Sequence, residues 1–132
     1  MRPGVVRVVF FDAGGTLIRT RSSVGEIYAR RARDYGAHAD PEQLEQGFRT
    51  AFAGAPPLAF PDATPAELLA HEQGWWRDIV RRAFPAGAFP PGAFEPCFQA
   101  LFEDFARPAA WEVFADVVPT LRALQARGLR LG

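Results

Sequence analysis

The chain contains no lysine: all 15 of its basic residues are arginine, so chemistry that depends on an ammonium group lies outside its own repertoire. It has a single cysteine, Cys97, which excludes an internal disulfide framework and fits a reducing, cytoplasmic setting. No apolar run approaches the roughly 20 residues of a membrane-spanning helix. The N-terminal stretch "VVRVVFFDAGG" is interrupted by Asp12 before any small-residue cleavage site, so neither a membrane segment nor a signal peptide is expected. Net charge is lacking too. The 15 acidic residues balance the arginines, and nothing in the bulk charge points to nucleic acid or an acidic membrane as a partner. His38 and His71 stand alone, without metal-ligand spacing, and fit surface or packing roles. There is no internal repeat and no charged low-complexity tract. Recognition has to come from a site.

With 132 residues, 48% of them hydrophobic, the chain makes one small domain or part of a larger one. Val5 to Phe11 is nearly continuous β-branched and aromatic sequence with only Arg7 polar, the pattern of a strand buried on both faces of a parallel sheet. Asp12 then stands at the strand's C-terminal end. Ser23 and Glu26 have capping-box spacing, and Val24, Ile27, Tyr28 and Tyr35 share a helical face that ends at Gly36. Asp40 and Pro41 open a second helix carrying Leu44, Phe48 and Phe52. After the Pro-rich "GAPPLAFPD", Thr64, Pro65 and Glu67 start a long helix through Trp75, Trp76, Ile79 and Val80, whose wide apolar face predicts a central position. Phe94, Cys97, Phe98, Leu101, Phe102 and Phe105 recur at the spacing of a fourth amphipathic helix. Val117 to Arg127 is a fifth, stopped by Gly128, and "LRLG" reads as the start of another strand. A parallel pair of strands this far apart is best read as one sheet with a helical unit inserted between them.

Ligands of open parallel sheets bind outside the carboxyl ends of the strands, where this reading puts Asp12. Gly14 and Gly15 let the backbone turn sharply and approach a ligand, and their N–H groups are suited to an anion nest. A carboxylate beside such a nest is placed to attack phosphorus or carbon and form a covalent intermediate, with a divalent metal screening the repulsion between two anions. Taken alone, "DAGG" fits better a turn that Asp12 caps and the glycines merely permit; its context shifts the reading. Trp75, Trp76 and the Phe stripe fit core packing better than a substrate pocket. Arg30, Arg31 and Arg33 read as a solvated face; Arg19 and Arg21, which follow the acidic motif directly, are open to two readings, soluble surface, the usual role of exposed arginine, or contact with an anionic substrate.

The hydrophobic strand, the run Asp-x-Gly-Gly-Thr-Leu from Asp12 and the helical insertion together resemble the first motif of the haloacid dehalogenase-like hydrolases. The segments "EQGWWRDIV" and "FEDFARPAAWEVFADVVPTLRALQARGLRLG" look like the cap and the return to the core in the subfamily whose cap is inserted just after that motif. The resemblance implies an α/β fold: a truncated, Rossmann-like parallel-sheet core with an inserted α-helical cap. Residues 1–19 would be the core strand and nucleophile loop, 20–112 the cap, and 113–132 the return helix and the start of the second core strand. It implies Asp12 as nucleophile and magnesium ligand, the Gly14 carbonyl as a second metal ligand, amides around Ala13 and Gly14 holding the phosphate, and Thr16 supporting the loop.

Two departures qualify the resemblance. Most phosphatases of the family carry a second Asp two residues after the nucleophile, as general acid and base; here that position is Gly14. Losing such help costs about two to four orders of magnitude for an ordinary alkyl phosphate. It matters less for halide, or for acyl and enol phosphates, whose leaving groups need no proton. The family's phosphate-binding Ser or Thr, its Lys and its further acidic metal ligands fall beyond Gly132, so the chain reads as an N-terminal fragment that is inactive alone. The expectation is therefore a magnesium-dependent, phosphatase-type hydrolase with a small phosphorylated substrate and neither nucleic-acid nor membrane partners. Its exposed core half is expected to self-associate. A carbon–halogen hydrolase and a non-catalytic helical binding module remain the alternatives.

Overall fold

The computed structural model describes residues 4–132; the first three residues of the expected core segment 1–19 lie outside them. The chain divides into two compact units, one formed by the chain up to Arg21 together with Pro108–Gly132, the other by Ser22–Arg107. This is slightly inside the expected 20–112 insertion. The reason is a short antiparallel pair, β2 (Ile18–Thr20) with β3 (Trp111–Val113), which holds both crossing segments within the first unit. No helix among the described residues is long and apolar enough to cross a membrane.

The Ser22–Arg107 unit is four helices: α1 (Val24–Arg33), α2 (Pro41–Ala53), α3 (Pro65–Ala83) and α4 (Phe94–Phe105). Their starts follow from local chemistry. The Ser23 hydroxyl accepts from the Glu26 N–H while the Glu26 carboxylate accepts from the Ser23 N–H, both at 3.1 Å. Asp40 accepts from the Gln43 N–H at 2.9 Å ahead of Pro41. Glu67 takes the Thr64 N–H and hydroxyl at 2.9 and 2.7 Å. The apolar stripes then meet in one core around Tyr28, Leu44, Phe84, Phe98 and Leu101. Two glycines let the helices close up: a Cβ on Gly25 would sit 2.0 Å from the Pro41 carbonyl oxygen, and one on Gly47 would sit 2.5 Å from that of Ala83. Arg31 forks onto Asp104 with two 2.8 Å hydrogen bonds that tie α1 to α4, so it leaves the solvated face expected for it. Burial of α3 is confined to its second half, at Ile79, Val80 and Ala83, and the helix is less central than its sequence suggests.

In the other unit, β1 (Val8–Val9) pairs in parallel with β4 (Arg130–Leu131), with Val8 opposite Arg130 and Val9 opposite Leu131. Flanking bonds from the Arg130 N–H to the Arg7 carbonyl and from the Phe11 N–H to the Gly132 carbonyl lengthen the ladder. Helix α5 (Val117–Ala126) leads into β4. The α/β architecture is as expected, but the doubly buried strand is not. Val5 and Phe10 are 83% and 81% exposed. A parallel strand is buried only when neighbours and covering helices flank it, and among the described residues β1 has the single partner β4.

Candidate active site

Asp12 follows the last ladder bond of β1, the 2.8 Å contact of the Phe11 N–H with the Gly132 carbonyl, so the strand delivers it to the carboxyl end of the parallel pair. Its side chain is exposed, and among the described residues no donor is bonded to its carboxylate. An aspartate that capped the turn would accept one of the next backbone N–H groups, and Asp12 does not.

The loop behind it curls around one carbonyl. Ala13 accepts from the N–H groups of Thr16, Leu17 and Ile18 at 3.2, 2.9 and 3.1 Å, and the Gly15 N–H donates to the Ile18 carbonyl at 2.8 Å. Gly15 has φ of +79°, the left-handed conformation that a Cβ disfavours. The bridge between Gly14 and Ile18 is parallel, a pattern in which the bonds come from the residues on either side of Gly14. Among the described residues its own N–H and carbonyl are unspent, as is the Ala13 N–H. The groups left without a bond among the described residues thus include the Asp12 carboxylate, the Ala13 and Gly14 amides and the Gly14 carbonyl, while the Thr16 N–H is used in holding the loop together. Leu17 adds a brace, accepting from the Phe114 N–H at 3.1 Å.

The Asp12 carboxylate and the Gly14 carbonyl are hard oxygen donors of the kind magnesium takes, but they are two ligands of an octahedral shell. Among the described residues no group of three or more His, Cys, Asp or Glu side chains is gathered to complete it. The fit is to part of a magnesium site.

Arg19, a candidate for reaching an anion, is engaged elsewhere: its guanidinium pairs with Glu112 across the β2–β3 register and lies 5.2 Å from the centre of the Phe114 ring. Neither partner is legible in the sequence, because strands of three residues leave hardly any alternation to read. "WEVF" after the Pro-containing break was the available signal. Arg21 has its backbone N–H on the Ala110 carbonyl and an exposed side chain. His71 stacks on Phe60 at 5.2 Å, a packing role. Cys97 is sealed in the helical core, and burial pushes its thiol up to about 11.

A family model described as haloacid dehalogenase-like hydrolase matches residues 6–132. The chain is 39% identical over 127 residues to haloacid dehalogenase-like hydrolase domain-containing protein 3 of Homo sapiens, covering 96% of this chain and 50% of the relative. It is 36% identical over 128 residues to the Danio rerio protein of the same name, covering 96% and 52%. The chain thus spans about half the length of the curated relatives it matches. With the model matched over nearly all of its residues, the chain belongs to the haloacid dehalogenase-like hydrolases.

Proposed function

We propose that this chain carries the nucleophile of a cytoplasmic, magnesium-dependent, phosphatase-type hydrolase that works through an aspartyl intermediate. The supporting observation is the unpaired Asp12 carboxylate at the end of β1, beside the unspent N–H groups of Ala13 and Gly14. Those amides hold the phosphate oxygens. An Asp12 oxygen attacks phosphorus, the bond to the leaving oxygen breaks, and that oxygen departs with the electron pair. Water then attacks the same phosphorus, its proton passes to solvent, and inorganic phosphate leaves as the Asp12 carboxylate is regenerated. Magnesium, when bound by Asp12 and the Gly14 carbonyl, supplies the positive charge that offsets carboxylate–phosphate repulsion. Gly14 offers no proton to the leaving group, so acyl or enol phosphates suit the site better than alkyl phosphates. With part of the metal shell, the 132-residue chain turns over poorly by itself.

Gly14 also favours a second reading, a carbon–halogen hydrolase, in which Asp12 attacks carbon, halide leaves with the bonding pair, and water hydrolyses the resulting ester. The two separate in one experiment. The chain is joined to the remaining half of the human relative and assayed with acetyl phosphate, an alkyl phosphate and a 2-haloacid. Acetyl phosphate hydrolysis, abolished by a chelator and by Asp12→Asn, is the expected result. Gly14→Asp should raise the alkyl phosphate rate by about 10²–10⁴, and Gly14 has open space for the side chain. Chelator-insensitive halide release would select the second reading. Full activity in Asp12→Asn would overturn both.

A further inference from the structure

We propose that the first half of α3, with the loop before it, is a docking surface for a basic amphipathic helix of a partner protein. Helix α3 has 19 residues, about 28 Å of length, against about 18–20 Å for α2 and α4 with 13 and 12. It outruns the helices it packs on. Leu68 precedes Ile79, and Leu69 precedes Val80, by eleven residues, about three full turns, so each pair lies on one line along the helix. Ile79 and Val80 are sealed in the core, whereas Leu68 and Leu69 are 43% and 58% exposed. The core-facing stripe of α3 thus runs on into solvent.

The surface around it is fixed in advance. The Trp75 indole N–H donates to the Pro56 carbonyl at 2.9 Å, and Phe60 stacks on His71, pinning the loop of residues 54–62 to the helix. Exposed Phe52 packs edge-on against Trp75 at 5.9 Å and extends the apolar area onto α2, with Leu58 exposed on the loop. Single exposed apolar residues are ordinary; a contiguous, pre-ordered group of them marks an interaction site. Its charge selects the occupant. From Arg49 to Arg77 the sequence has no arginine between, while Asp62, Glu67 and Glu72 are exposed there. A second copy would bring acid onto acid, and an anionic lipid surface would be repelled. A helix with leucine-like anchors flanked by Lys or Arg meets both the apolar stripe and its acidic rim.

The test is titration of the chain with a Leu/Lys amphipathic peptide of about eighteen residues, long enough to be helical, followed by tryptophan fluorescence and calorimetry. The same peptide with Glu for Lys is the counterpart. The Lys peptide should bind, more weakly as salt rises, and the Glu peptide should not. Leu69→Gln and Glu72→Arg should each weaken binding about tenfold or more, with unchanged circular dichroism, while Glu42→Arg on α2 leaves it unaltered. Absence of binding, equal binding of both peptides, or full affinity in the Leu69 and Glu72 variants would overturn the proposal. So would a dimer that Leu69→Gln dissolves, which would give the surface to a second copy.

Discussion

Phe98 in the helical unit is 2% exposed; Phe10 in the strand unit is 81% exposed. Both are aromatic residues in strongly apolar sequence, and they differ in where their partners come from. Phe98 belongs to a stripe that meets stripes of the same spacing within Ser22–Arg107, where Ser23 and Asp40 cap the starts of α1 and α2. Phe10 directly follows β1, a strand whose burial depends on flanking strands and helices, and among the described residues β1 has one neighbour, β4. Helical amphipathicity can be satisfied among nearby segments, whereas a buried parallel strand needs distant ones.

That contrast is most exposed to failure in paired substitutions. Phe98→Ala should cost about 3–5 kcal/mol in urea unfolding, and Phe10→Ala should stay within about 0.5 kcal/mol; comparable losses would erase the distinction. A pH series sharpens it next, because the titration arises in the helical core. The Cys97 thiol, ordinarily at 9.0, is pushed to about 11 by burial, with Arg31 opposing, so the folded state holds its proton more tightly than the unfolded chain. That contribution is complete below pH 9 and is lost as pH rises to 11, by roughly 2–3 kcal/mol. Burial, and then Glu45, also raises the Tyr28 hydroxyl from 10.0 and adds to the loss at the alkaline end. Cys97→Ala should flatten the part between 9 and 10 in thermal melts; an unchanged slope would assign it elsewhere.

Close helix approach gives a smaller difference. Gly25→Ala drives a Cβ against the Pro41 carbonyl and should cost about 1–3 kcal/mol, while Gly14→Ala, with nothing within 4 Å, should leave stability nearly unchanged. The least effect on the monomer is expected from Phe10→Glu, which should lower concentration-dependent association in sedimentation without altering circular dichroism. Association that persists in this variant would locate the contact away from β1.

The four helices of Ser22–Arg107 were legible because capping pairs such as Ser23–Glu26 and Asp40–Gln43 and the stripe from Phe94 to Phe105 are local. The exposed half of α3 was not, since helix length relative to its neighbours is a property of the assembled unit. In the candidate site, the type and place of Asp12 could be read from "FFDAGG". The hydrogen-bond economy of its loop could not. That the Ala13 carbonyl takes three donors while Gly14 keeps its own groups unspent depends on a turn between Gly14 and Ile18. Arg19 was open to two readings until Glu112, from across the sheet register, engaged it.

The claim that Asp12 is the attacking group is tested most directly by intact-mass and peptide mapping after incubation with acetyl phosphate and magnesium, using the chain joined to the remaining half of the human relative. One phosphoryl group should appear on Asp12, removable by hydroxylamine and absent from Asp12→Asn. An adduct on any other side chain, or one that forms equally in Asp12→Asn, would contradict it.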